Sequence, residues 1–142
     1  MPDTISHPDG LFELSLPSDW RWVADETGGS AVSAQPPGVL HLSAEAVEDP
    51  AELPNLSRML AAFLTRTGRP VATDDLLRVP LVGAEGFSWQ YIEDQKRAWR
   101  VWIFGNRTVW VFASFNCALE DAPVHQGSVD GLVHSLRLAG AK

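Results

Sequence analysis

The chain has 142 residues, a formal net charge of −7 and one cysteine, Cys117. This length fits one domain, residues 1–142, with a core that needs neither disulfide nor metal. The acidic balance argues against a nucleic-acid surface and against binding to anionic membranes. A lone cysteine excludes an internal disulfide.

The opening Met1-Pro2-Asp3-Thr4-Ile5-Ser6-His7 has no basic segment followed by an apolar one, so it does not read as a signal peptide. No apolar run approaches the roughly 20 residues that span a bilayer. The expectation is a cytoplasmic protein with no membrane insertion. Arginine outnumbers lysine nine to two and alanine is frequent, which points to a GC-rich bacterial genome.

Residues 1–10 read as a flexible lead-in, polar and carrying two prolines. Phe12, Leu14 and Leu16 alternate and predict a strand. Pro17-Ser18-Asp19 is a turn. Trp20 to Ala24 follows as a second strand with both indoles on one side. Asp25 to Gly29 is another turn, 30–35 a modest strand, and Pro36-Pro37-Gly38 a tight reversal. From 39 to 47 the alternation is clean. Leu40, Leu42, Ala44 and Ala46 point one way, while His41, Ser43 and Glu45 form a wet face.

A helix is predicted over 54–67. Pro54 suits a first turn, Leu56, Met59, Leu60, Phe63 and Leu64 make an apolar stripe, and Gly68 stops it. Residues 76–82 form a strand that Pro80 weakens, so that it lies at an edge or carries a bulge. Phe87, Trp89 and Tyr91 alternate in the next strand, and Glu93 to Lys96 is a turn.

The densest stretch is 98–115, which reads as a β-hairpin holding three of the six tryptophans. A two-residue turn at Gly105-Asn106 would pair Phe104 with Arg107, Ile103 with Thr108 and Trp102 with Val109. One face then carries Trp99, Val101, Ile103, Thr108, Trp110 and Phe112. The other carries Arg100, Trp102, Phe104, Arg107, Val109, Val111, Ala113 and Phe115. Neither face is plainly polar. Either both are covered, or one is an exposed apolar patch with a purpose. Residues 76–115 thus make a four-stranded antiparallel meander.

The last element is a helix capped by Asp121, with Pro123 just inside its start. Val124, Val129, Leu132, Val133 and Leu136 form its stripe. Gly127 and Gly131 weaken it, unless they allow close approach to the sheet. Residues 135–138 close the chain as a short strand or turn.

The fold class is therefore α+β: N-terminal strands, a helix, a four-stranded meander and a C-terminal helix. Several features together make the chain resemble the Mog1/PsbP-like superfamily. They are the opening Phe12-x-Leu14-x-Leu16-Pro17-x-x-Trp20, the mid-chain helix, and Gly83-x-x-Gly86 before a Trp/Tyr strand. The closing Val133-x-Ser135-Leu136 completes the pattern. That group includes Ran-binding Mog1 proteins, photosystem PsbP proteins, and bacterial DcrB-like, LpqN-like and type VI secretion adaptor domains. The resemblance covers nearly the whole chain. It implies a three-layer α/β/α sandwich with a central, mainly antiparallel sheet, and mostly non-catalytic binding or assembly roles.

Catalytic chemistry has little support. Cys117, Asp121 and His125 lie close in sequence, and a thiol–imidazole pair can activate a nucleophile. The plainer assignment is a small buried thiol and a histidine on the helix surface. His41 and Glu45 share a strand face without a third ligand, so no metal is expected, and no cofactor motif is present. The tryptophans stand out, because aromatics with polar handles gather at interfaces.

The expectation is a non-catalytic protein-binding or adaptor module of a bacterial cell. Arg100, Trp102, Phe104 and Arg107 would receive another protein or a second copy of the chain. The alternative is a carrier of a small hydrophobic ligand, held between sheet and helix with Trp89 and Tyr91 as pocket residues. A thiol enzyme using Cys117 is the remote third case.

Overall fold

The aromatic hairpin lies within a seven-stranded sheet. A computed structural model describes residues 3–140 of the chain; Met1 and Pro2 of the expected lead-in fall outside them. The strands are β1 (Asp3–Ser6), β2 (Phe12–Leu16), β3 (Trp20–Ala24), β4 (Gly28–Ala34), β5 (Pro37–Ala46), β6 (Leu77–Arg78), β7 (Glu85–Glu93), β8 (Arg97–Gly105), β9 (Val109–Ala118) and β10 (Arg137–Leu138). The helices are α1 (Leu56–Arg66) and α2 (Ala122–His134). The large sheet runs β3-β4-β5-β9-β8-β7-β6, and a small one runs β1-β2-β10. Adjacent strands of the large sheet are antiparallel throughout. The fold is α+β, with α1 on one face of the large sheet and α2 with the small sheet on the other.

The flexible lead-in is corrected for residues 3–6. They pair with β2 from Asp3 opposite Leu16 to Ser6 opposite Glu13. Strand β2 has a buried side and a backbone that needs partners along its edges, and β1 supplies them on one side. The strand at 76–82 is also shorter than expected. The regular strand is Leu77 and Arg78, against Ser88 and Phe87. Beyond it the Val79 N–H donates to the Gly86 carbonyl and Leu81 bridges Ala84. Of the two readings, edge or bulge, the edge position holds.

The hairpin turn sits two residues later than the Gly105-Asn106 reading. Gly105 pairs with Trp110, Ile103 with Phe112 and Trp102 with Ala113. Asn106 decides this. Its Oδ1 accepts from the backbone N–H of Thr108 and of Val109, and its Nδ2 donates to the Ala139 carbonyl. Those bonds fold the chain over Arg107 and Thr108 instead. Gly105 stays in the strand, where Leu56 of α1 comes down on it; a Cβ there would lie 3.0 Å from the leucine methyls. Moving the turn by two residues preserves side-chain parity, so the two predicted faces survive.

Helix α1 starts one residue after its cap. The Asn55 side chain accepts from the Arg58 N–H, and Gly68, at φ +82, ends it. Leu56, Leu60 and Leu64 are buried against Val101 and Ile103, with Phe87, Trp89, Trp110 and Phe112 packed around them. Each fully buried leucine contributes about 1.5–3 kcal/mol. The opposite face, with Trp102, Phe104, Val111, Ala113 and Phe115, is closed by β2, α2 and β10 through Phe12, Leu14, Val129, Leu132 and Leu138.

Candidate functional site

The face bearing Arg100, Trp102 and Phe104 is not a free surface. Trp102 is 1% exposed and Phe104 is fully buried. The tryptophan is core because distant segments of the chain cover it. Gly86 makes room for Phe104, since a Cβ on it would overlap the phenyl ring. Arg107 lies in the hairpin turn, exposed and apart from the other three. It borders a shallow groove with Leu53, Pro54 and Glu85. The four proposed partner residues therefore do not form one patch, and only Arg100 and Arg107 reach solvent.

Arg100 does border an opening. Helix α2 leaves the far end of β7 and β8 uncovered, and the gap is a groove of about 500 Å³. Ala98 and Phe115 of the sheet and Pro123 and Val129 of α2 give it apolar walls. Gln90, Gln126 and Arg100 supply polar groups. The Arg100 guanidinium is held from two sides. It lies 4.7 Å from the centroid of the Trp102 ring, and its Nη1 donates to Asp130 Oδ1 at 2.9 Å. Ile92 at the groove is 56% exposed.

The predicted ligand-pocket pair divides. Trp89 points to the α1 face and packs with Leu56 and Ile103, on the far side of the sheet from the groove. Strand alternation puts Gln90 and Ile92 on the groove side instead. Tyr91 also packs on the α1 side but borders the groove at the sheet's end. Its ring stacks on Trp99 at 6.1 Å, with the Arg69 guanidinium 4.3 Å away on its face. Trp99 Nε1 donates to Glu93 at 3.3 Å, and Arg69 approaches the same carboxylate at 3.7 Å. Burial pushes the Tyr91 phenol up, partly opposed by Arg69.

The thiol set does not assemble for catalysis. Cys117 is fully buried, and burial, with Asp121, raises its thiol above the ordinary value. A reactive cysteine needs the reverse. His125 is corrected from helix surface to core, at 3% exposure. Its ring meets Trp20 and Phe115 edge-on at 5.7 and 5.6 Å, and its buried Nε2 has no hydrogen-bond partner among the described residues. Gly38 admits the ring, because a Cβ there would sit 3.0 Å from that nitrogen. With His125, Val129, Leu132 and Val133 inward, Val124 turns outward, against the predicted stripe.

His41, expected on the wet face, is half-buried and contacts Asp25 at 3.0 Å. Among the described residues no three His, Cys, Asp or Glu side chains group as metal ligands. Nor is any helix among them long and apolar enough to cross a membrane.

The layers and strand order can be compared with known proteins. No protein-family model and no curated protein sequence matches the chain. Solved structures do. The solution structure of cyanobacterial PsbP (CyanoP) from Synechocystis sp. PCC 6803 superposes with a TM-score of 0.70 at 10% identity, over 96% of this chain and 92% of that one. The fold is PsbP-like. LpqN of Mycobacterium tuberculosis, described as involved in cell envelope biogenesis, matches with a TM-score of 0.60 at 14% identity, over 97% and 90% of the two chains. A crystal structure from Bacteroides thetaiotaomicron VPI-5482 matches with a TM-score of 0.62 at 16% identity. It spans 95% of this chain, which accounts for only 47% of the Bacteroides chain. The resemblance to the Mog1/PsbP-like superfamily therefore holds at the level of the PsbP-like fold.

The residues missed by the sequence pattern are Gln90, Ile92, Ala98, Pro123 and Gln126. One signal was present. Ile92 is an apolar residue out of phase with the Phe87/Trp89/Tyr91 stripe, on the side shared by Ser88 and Gln90.

Proposed function

We propose that this PsbP-like domain is a non-catalytic binding module whose partner is another protein, engaged at the groove between α2 and the end of β7–β8. The observation that carries this reading is the groove's open, apolar rim. A site for a small molecule encloses most of its ligand. Here Ile92 stays largely in water at 56% exposure. Such an apolar side chain at the mouth of a cleft suits a partner that covers the rim while inserting a side chain. Arg100, Gln90 and Gln126 offer it hydrogen bonds. The Cys117 thiol is buried and raised above its ordinary value, which gives the thiol-enzyme alternative no support.

Both structural neighbours named above by protein are consistent with an accessory role, and LpqN, described as involved in cell envelope biogenesis, puts an envelope setting beside the cytoplasmic one. The test is a photo-crosslinking residue in place of Gln126, used in an extract. A discrete adduct whose purified partner rebinds, and which Ala98→Trp abolishes without lowering Tm, supports the reading. No adduct, or adducts indifferent to Ala98→Trp, refutes it.

A second reading rests on volume. About 500 Å³ lies within the range of small-ligand pockets. Native mass spectrometry showing a retained apolar molecule that Ala98→Trp removes would favour the carrier.

A further inference from the structure

The structure assigns the occupant of this site a specific form: an extended peptide segment that adds to the sheet as a strand beside residues 90–93 of β7. The inference rests on the protein-binding reading and narrows it. Strand β7 runs for nine residues, but its outer neighbour β6 pairs with only two of them, Phe87 and Ser88. Before Leu77 the chain leaves the plane of the sheet. Leu76 dips into the α1-side core, and Thr73–Asp75 coil into a 3₁₀ turn. Among the described residues no backbone hydrogen bond reaches the outer edge of 90–93. In an antiparallel strand every second residue turns its N–H and C=O outward, so this edge presents free donors and acceptors.

Sheet edges in water are commonly protected by proline, bulges or a charged inward side chain. The segment Gln90-Tyr91-Ile92-Glu93 has no proline, and its pairing with β8 is continuous through Arg97. The groove opens at the same residues. A strand in the empty lane would send alternate side chains to the two faces of the sheet. Those beside Gln90 and Ile92 would enter the groove toward Ala98 and Pro123. Those beside Tyr91 would meet the Arg69 guanidinium that lies over its ring. One conformation of one ligand class thus uses the backbone edge and the groove together. An apolar small molecule would leave the edge unpaired.

Charge selects one end of the segment. Asp74 and Asp75, in the turn just before β6, are exposed and make no ion pair among the described residues. The two other charge pairs at the site, Arg69–Glu93 and Arg100–Asp130, are already matched. A lysine or arginine on the segment at its Asp74–Asp75 end complements them.

The experiment uses the unaltered protein and acetylated, amidated short peptides that alternate apolar and polar residues, with Lys or Glu at either end. Amide NMR shifts and slowed exchange at residues 89–93 report strand addition. In the best binder, N-methylation of one alternate set of peptide nitrogens should weaken binding by at least about tenfold, while the other set changes it by less than about threefold. Replacing the terminal Lys by Glu should also weaken it. Failure of any peptide to bind, equal tolerance of both N-methyl sets, or shifts confined to α2 would overturn strand addition. The protein-binding reading is judged separately by the Gln126 adduct and its loss in Ala98→Trp.

Discussion

Arg100 donates to Asp130 at 2.9 Å, and that contact ties strand β8 to helix α2 beside the open groove. Both side chains are partly exposed, at 28% and 40%. Exposed pairs of this kind contribute about 0–1 kcal/mol. Asp130→Asn is expected to lower unfolding free energy by no more than about 1 kcal/mol, with the loss shrinking in high salt. Urea denaturation at two ionic strengths measures it. A loss of several kcal/mol would mean that the pair supports α2 far more than its exposure implies.

Two glycines should respond in opposite directions. A Cβ on Gly86 would overlap the Phe104 ring and the Val79 carbonyl. Gly86→Ala is expected to cost about 1–3 kcal/mol, the usual penalty for overpacking. Gly131, exposed on α2, has nothing within 4 Å of an added Cβ. Gly131→Ala should stabilise by about 0.5–1 kcal/mol through helix propensity alone. Thermal melts of both variants decide it. Equal signs would contradict the packing described.

Asp25 sets part of the acid limb of stability. Its carboxylate accepts the Thr27 backbone N–H, contacts His41, and accepts the Thr27 hydroxyl and the Gly28 N–H, which holds it at about 2. The folded value lies below the ordinary 3.8, so the unfolded chain takes up the proton first as pH falls. The contribution is complete above about pH 4 and is lost as pH falls toward about 2. Melting temperatures of the wild type and Asp25→Asn between those limits should converge with acidification. Parallel curves would remove Asp25 from the acid response.

Cys117 should be inert while the protein is folded. It is fully buried, and its thiol is raised by burial and by Asp121. Iodoacetamide at neutral pH should label it only under denaturing conditions, as read by intact mass. Rapid labelling of the native protein would reopen the thiol-enzyme alternative.

Much of the fold was legible because strands announce themselves by a period of two. Leu40, Leu42 and Ala44 inward with His41 and Ser43 outward could be read directly, and so could the parity of the 98–115 hairpin. The register could not, because Asn106 competes for the turn through bonds to Thr108, Val109 and the distant Ala139. The site was less legible. Trp102 and Phe104 look like an interface because arginines flank them in sequence. Ile92 looks like an ordinary apolar position.

The sequence alone determined the order of elements from β2 onward, the α1 stripe and the composition of each hairpin face. These depend on local periodicity and on proline and glycine, which act within a few residues. Only the tertiary structure decided which face is closed and where it stays open. Trp102 is buried because β2 and α2, remote in sequence, pack across its half of the sheet, and the groove exists because α2 stops short of Ile92. Coverage of a sheet is a long-range property, and no alternation pattern within one strand encodes which distant segment lies above it.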